Sequence, residues 1–181
     1  ATCNIGAENP EDYGDYFAWG EVEPKSNYSW DTYSHCNGSS NNLIKYNVGS
    51  SWGIVDSKTI LGSEDDVARM NWGGNWRIPS IVEFAELKEE CVWTFANRNG
   101  VNGYTVTSIT NGNSIFLPAA GYCKGVDFRR LGLNGYYWSS SLDSDKYDYA
   151  YCLFLDSKSI VNNSRERYYG HSVRPVLSIN I

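Results

Sequence analysis

The sequence predicts an α+β domain, and three observations carry that prediction. Helical signals are confined to the stretch between Leu61 and Cys91, and apolar, β-rich runs separated by turn residues fill the chain beyond Cys91. The composition, 15% aromatic with 17 Gly and a single Met, favours strands and turns over long helices. At 181 residues the chain can enclose one sizeable core, and it is read as a single domain spanning 1–181.

Taken in order, the residues before Leu61 are rich in Tyr, Trp, Asn, Ser and Gly and read as long loops with one short strand at Asp15–Val22. Leu61–Asn71 then predicts a short helix, with Ser63 as N-cap and Glu64, Asp65 and Asp66 in the first turn, where acids meet free backbone NH groups. In NWRIPSIVEFAELKEEC (Asn75–Cys91), Ser80 and Glu83 match a capping box and Pro79 bars an earlier start. Phe84, Leu87 and Cys91 recur at helical spacing, so an amphipathic helix of about three turns is expected there. Asn111–Gly112 lies between two β-rich runs and predicts a hairpin. Gly135–Ser141, Tyr149–Ser157, Ser159–Asn163 and His171–Ile179 complete the strand candidates.

Several function classes are disfavoured. The formal charge is −6 and no Lys/Arg run offsets it, so nucleic acid is not an expected partner. No apolar run approaches the roughly 18–20 residues of a membrane span, so direct membrane insertion is not expected. The opening residues lack the basic start and apolar stretch of a signal peptide, and a start at Ala1 is expected of a processed protein or an excised domain. Five scattered cysteines, with no CxxC, match neither a disulfide framework nor a zinc ribbon; buried thiols are expected, with a bridge such as Cys3–Cys36 left open.

Chemistry is sparse. GSSWG (Gly49–Gly53) fits G-x-S-x-G, with Ser51 as nucleophile and His171 as the available base, but its setting in a Ser- and Asn-rich loop is not the strand-turn-helix that a nucleophile elbow needs. The acids at 64–66 read as helix-start residues and not as metal ligands, and His35 has no companion ligands at useful spacing. No enzyme activity, metal or cofactor is expected.

A surface is better signalled. Seven of the 14 tyrosines fall between Gly135 and His171: Tyr136, Tyr137, Tyr147, Tyr149, Tyr151, Tyr168 and Tyr169. In an extended strand Tyr147, Tyr149 and Tyr151 share one face, and Asp148, Ala150, Cys152 and Phe154 the other, of which the Ala, Cys and Phe side is expected to be buried. The tyrosines fit either cross-strand pairs or a contact surface. As a set flanked by Asp143, Asp145, Lys146, Arg165, Glu166 and Arg167, they favour the surface, because Tyr offers large, stiff, amphipathic area at low entropic cost.

GGNWRIPSIVEFAEL (Gly73–Leu87), FLPAAGY, GYYWSSS, YAYCLFLDS and GHSVRPV, in this order, resemble the C-type lectin-like domains of bacterial surface proteins, including the Fibrobacter succinogenes major paralogous domain group. More narrowly they resemble the variable proteins of diversity-generating retroelements, over about Gly14 to Val176. The resemblance implies a C-type lectin-like fold with two short helices packed on a twisted antiparallel sheet, and 135–176 as a variable ligand-binding region. It implies that Trp138–Ser141 and Ser172–Pro175 are frame. The variable slots would hold Tyr137, Asp145, Tyr147, Asp148, Tyr149, Cys152, Phe154, Arg165, Tyr168, Tyr169 and His171 as ligand-binding residues. The implied function is a receptor or adhesin-type module that binds a protein or glycan ligand on another cell or particle, placed extracellularly, at a cell surface or on a virion. The EPN, QPD and WND motifs of calcium-dependent sugar binding are missing, so a calcium-bridged sugar is not expected. Two alternatives stand: an enzyme of the formylglycine-generating type, for which Cys152 lacks a nearby second cysteine, and a structural module with no ligand of its own.

Overall fold

The computed structural model describes residues 1–178, so Ile179, the last residue of the strand expected from His171, lies outside the described residues. Among these residues the architecture is α+β, with two short helices and small antiparallel sheets. Helix α1 spans Val67–Trp72, strand β1 Trp76–Arg77 and helix α2 Ile81–Glu89. Next come a three-stranded meander, β2 (Cys91–Arg98), β3 (Val101–Ser108) and β4 (Ser114–Pro118), and a small hairpin of β5 (Tyr122–Lys124) and β6 (Asp127–Arg129). Strands β7 (Asn134–Leu142), β8 (Tyr149–Asp156) and β9 (Ile160–Glu166) form a second meander, and β10 (Val176–Leu177) returns to pair with β1.

Strands β7 and β8 are the centre of the molecule, since both of their faces are covered. Tyr137, Leu153 and Leu155 point to one side and pack with Phe84, Tyr104, Val106 and Leu117 from α2, β3 and β4. Tyr136, Trp138, Ala150 and Cys152 point to the other and meet Phe17, Trp19, Tyr28, Tyr33 and Tyr46 from the N-terminal loops. Strands buried on two faces read as continuous apolar runs, which is why YAYCLFLD shows no clean polar alternation beyond Tyr151.

Helix α2 keeps its predicted cap. Ser80 Oγ accepts from the Glu83 amide at 3.2 Å, and Glu83 Oε2 accepts from the Ser80 amide at 2.8 Å. Arg77 adds a bidentate pair to the same carboxylate at 2.7 and 2.6 Å. The helix is shorter than expected, because Cys91 already opens β2, whose hairpin turn at Asn99–Gly100 takes φ values of 49° and 87°.

Three other expectations change. Helix α1 begins later than Ser63: Asp66 is its cap, accepting from the Ala68 and Arg69 amides at 2.9 and 3.2 Å, and Ser63–Asp65 is only a 3₁₀ turn. Asp65 is instead buried against Lys45 and the Tyr46 hydroxyl. Asp15–Val22 is not a strand but makes a single bridge, Phe17 to His171, since its partner segment is a turn and not a continuous edge. The Asn111–Gly112 turn does join β3 to β4, though through a longer loop, 109–113. All five cysteines are free thiols, so Cys3 and Cys36 are not bridged.

The N-terminal loops have no ladder to satisfy their backbone, and Arg167 supplies donors in its place. Its wholly buried guanidinium donates to Tyr33 Oη (3.0 Å) and to the carbonyls of Lys45 (2.9 Å), Tyr46 (3.0 Å) and Tyr147 (2.9 Å). Replacing it by Ala strands these acceptors, and Arg167→Ala is expected to lower stability by at least ~3 kcal/mol in urea unfolding, with Arg167→Lys recovering little because one ammonium cannot span the fork.

The Arg77 pairing holds the Glu83 carboxyl down to about 2, with the Ser80 amide adding to it. A depressed acid contributes stability above its unfolded value, near ~4.3, and loses it as pH falls through the folded value. Glu83→Gln should therefore cost about 1 kcal/mol at pH 7, a difference that shrinks toward zero near pH 2 in paired urea titrations.

Candidate functional site

The segment RERYYGH (Arg165–His171) leaves the end of β9 with alternate residues turned in and out. Arg167 and His171 are wholly buried, whereas Arg165 and Glu166 are half-buried, and Tyr168 and Tyr169 sit at the rim with 9% exposure each. The inward residues thus anchor the outward ones.

Around them runs a chain of touching rings. Trp30 meets Tyr168 at 5.0 Å between centroids, Tyr168 meets Tyr169 at 4.7 Å, and Tyr169 lies flat on Tyr122 at 5.6 Å with 6° between planes. Tyr122 meets Tyr136 edge-on at 5.1 Å, and Tyr136 meets Phe154 at 5.1 Å. Each contact falls within the range at which aromatic pairs attract beyond their buried area.

Two hollows open along this chain. The first, about 290 Å³, is lined by Tyr122, Tyr136, Tyr149, Arg165, Glu166 and Tyr169. The second, about 630 Å³, lies on the far side of Tyr168 and Lys124 and includes Trp30, Asp31, Asp127 and Arg129. Lys124 stands between them, donating to Tyr169 Oη at 2.8 Å with its ammonium 4.9 Å from that ring's centroid. Arg165 lies over the Tyr136 ring at 5.4 Å, and Lys146 over the Tyr149 ring at 5.0 Å.

Under the smaller hollow lies His171, at 0% exposure and stacked on Trp138 at 3.9 Å. Tyr136, Tyr122 and Tyr169, which line the hollow, surround its ring at 5.1, 6.3 and 6.2 Å. Neither ring nitrogen has a hydrogen-bond partner, and burial, with the Arg165 charge adding to it, pushes the imidazole well below its ordinary range and keeps it neutral.

The hollow gathers three of the predicted residues, Tyr149, Arg165 and Tyr169, with Phe154 and Tyr168 flanking them on the ring chain. Others are placed elsewhere. Tyr137 is fully buried on the opposite face of the sheet, its hydroxyl donating to the Pro118 carbonyl at 2.6 Å, and does not line the hollow. Cys152 and His171 are likewise sealed beneath the surface, because the Ala150–Cys152 side of β8 and the 171 side chain meet the N-terminal loops. Tyr147 sits in the turn before β8 and not on the strand, its ring edge-on to Trp52 at 6.4 Å. Asp148 is half-buried with one oxygen unpartnered, and burial raises its carboxyl; Asp145 is exposed at the tip of the same turn.

Of the other three lining residues, Tyr136 and Glu166 belong to the surface expected from the sequence but not to the implied variable slots, and Tyr122 belongs to neither. Tyr122 lies outside the segment where tyrosines crowd, and its signal is the Gly125 turn that folds β5 onto β6. Tyr136 lies just before the frame segment Trp138–Ser141 and is distinguishable from Tyr137, which the slots named, only by strand parity.

Burial pushes the Cys152 and Cys123 thiols up to about 12, and Ser51 is exposed in a 3₁₀ turn while His171 is sealed inside. Iodoacetamide at pH 8 should label the half-exposed Cys3 and Cys91 readily, and Cys36, Cys123 and Cys152 at least ~100-fold more slowly, as mass spectrometry of the digested protein would record. Compared with family models, curated proteins and solved structures, the chain matches none.

Proposed function

We propose that this chain is a ligand-binding domain of receptor or adhesin type, on a C-type lectin-like scaffold, and that its binding site is the tyrosine-lined hollow over His171. The observation that carries this reading is the continuous ring chain from Trp30 to Phe154, with Tyr, Arg and Glu edges converging on one small hollow beside a larger one. Rings held by one another lose little freedom when a ligand docks, which is how Tyr-rich binding surfaces gain affinity. The buried thiol of Cys152 speaks for binding over the reactive-cysteine chemistry of a formylglycine-generating enzyme.

The parentage that the motifs imply fits this role. The domain would be a variable protein of a diversity-generating retroelement, displayed outside the cell or on a virion, with the frame segments Trp138–Ser141 and Ser172–Pro175 buried and the exposed edges of 145–169 open to change. A near-copy of the DNA encoding Gly135–Val176, differing at adenines and lying beside a reverse transcriptase gene, is the expected genomic signature.

Binders selected from a displayed cyclic-peptide library and from a glycan array supply the test. Tyr149→Ala, at a half-exposed ring without hydrogen-bond duties to the core, should weaken the selected ligands at least ~10-fold at little change in melting temperature, and Tyr122→Ala should do the same with some loss of stability, because its ring also packs on Tyr136 and Tyr169, while the domain stays folded by circular dichroism. Val92→Thr, on the exposed face of β2, should change nothing. If no ligand is sensitive to the two tyrosines, the domain is a structural module without a ligand at this site.

A further inference from the structure

We propose that the ligand is a protein which inserts an Asp or Glu carboxylate into the smaller hollow, against Arg165, with its apolar surface resting on the β5–β6 hairpin. This rests on reading that hollow as the binding site.

Charge points to an anion. Of the ion pairs among the described residues, Lys25–Glu21, His35–Asp65, Lys45 with Glu64 and Asp65, Arg77–Glu83 and Arg98–Glu11 share no residue with the hollow or the hairpin beside it, and Arg129–Asp127 sits on that hairpin, across β5–β6 from Tyr122 and Lys124. Arg165, Lys124 and Lys146, which stand in or around the hollow, belong to none of them. Arg165 lines the hollow and the two ammonium groups stand over its Tyr169 and Tyr149 rings, against two carboxylates, Glu166 in the lining and Asp148 beside Lys146, and in a chain of net charge −6 this local excess of cations marks the place for an anion. Arg165 is held ready: its Nη1 is fixed by Asn163 Oδ1 at 3.1 Å and the Ser164 carbonyl at 2.9 Å, and its plane lies over the Tyr136 ring. A guanidinium so oriented suits a planar carboxylate, which can take two parallel hydrogen bonds. Glu166 is the only carboxylate lining the hollow, and it would oppose the incoming group, setting a selectivity that its removal relaxes.

The hairpin beside the hollow favours a protein over an acidic sugar. Val126, 73% exposed, lines the adjoining larger hollow with Lys124 and Tyr168, and Phe128, Leu131 and Leu133, at 59%, 44% and 57%, extend the apolar surface past the hairpin, Phe128 and Leu131 toward Tyr13 and Tyr16. Hydroxylated sugar rings would leave most of that surface uncovered, whereas a folded partner with apolar residues around an acidic one would cover it. Exposed apolar patches beside Tyr and Arg anchors are the usual anatomy of protein contact sites.

A double-mutant cycle on the library-selected peptide binders tests the assignment. The selected peptides should share an acidic position, and its change to the amide should weaken binding about 10-fold or more, as should Arg165→Gln in the domain. The two changes together should cost no more than either alone. Glu166→Gln should tighten the same peptides by at least ~3-fold, a gain that misfolding cannot imitate. Additive losses, no shared acidic position, or a Glu166→Gln variant that binds no tighter would overturn the inference. A glucuronate oligosaccharide that binds with the same dependence on Arg165 while no acidic peptide is selected would also overturn it, in favour of an acidic sugar. Binders that lose affinity with Tyr122→Ala and Tyr149→Ala but ignore Arg165 remove this inference alone, and binders indifferent to all three remove the site itself.

Discussion

Arg167 is the interaction on which the rest of the molecule depends. It is a wholly buried cation with no carboxylate partner, and its charge is met by Tyr33 Oη, by the carbonyls of Lys45, Tyr46 and Tyr147, and by the faces of Trp19 and Tyr33 at 5.1 and 5.3 Å. Its own backbone joins two further segments, accepting from the Trp19 amide and donating to the Asp148 carbonyl. The residues before α1 form 3₁₀ turns and isolated bridges but no strand, so their buried carbonyls need side-chain donors. Arg174 does the same at the other end, donating to Asn4 Oδ1 and to the Phe116 carbonyl at 2.9 Å each. A five-donor fork suits this task as no other side chain does.

The hollow is a by-product of that anchoring. With Arg167 and His171 both turned inward, the two tyrosines between them are left at the rim. The chain must also pass very close to β5 there: a Cβ on Gly170 would sit 2.7 Å from the Tyr28 ring and 2.8 Å from Cys123 Cβ, so only glycine fits. The Cys123–Gly170 bridge that this closeness permits brings Tyr122 flat against Tyr169. Two segments far apart in the chain thereby complete one wall.

The same geometry separates two kinds of group. The Cys152 thiol and the His171 imidazole lie under the rings, desolvated and held in their neutral forms, and the groups left at the hollow are phenols, two ammonium groups, a guanidinium and a carboxylate. His171 adds unmet hydrogen-bonding capacity beneath the floor. Phenols, ammonium groups and a guanidinium of this kind can orient a polar group, which is the use the proposed function makes of them.

Local chemistry was legible in the amino-acid sequence wherever a few neighbouring residues decide the outcome. The Ser80–Glu83 box, the order of helices before strands and the Asn111 turn all appear, and Asn99–Gly100 is an equally readable turn, masked by the helical spacing of Cys91. The crowding of tyrosines near the C-terminus likewise pointed to the region where the ring chain and the hollow lie. Which tyrosines reach the surface was not legible, because Tyr136 and Tyr137 differ only in the face of β7 on which they fall, and that depends on a register set by β8 and on cores covering both faces. Tyr122 enters the hollow through a backbone approach at Gly170, a contact between residues distant in the chain that no local spacing encodes. Sequence alone determined the cap of α2, the Asn111 turn and the crowding of tyrosines near the C-terminus, since caps, turns and composition act over a few residues. The tertiary structure decided where α1 starts, that Asp15–Val22 is not a strand, and which tyrosines line the hollow, since strand register and buried arginine bonds select which side chains face outward together.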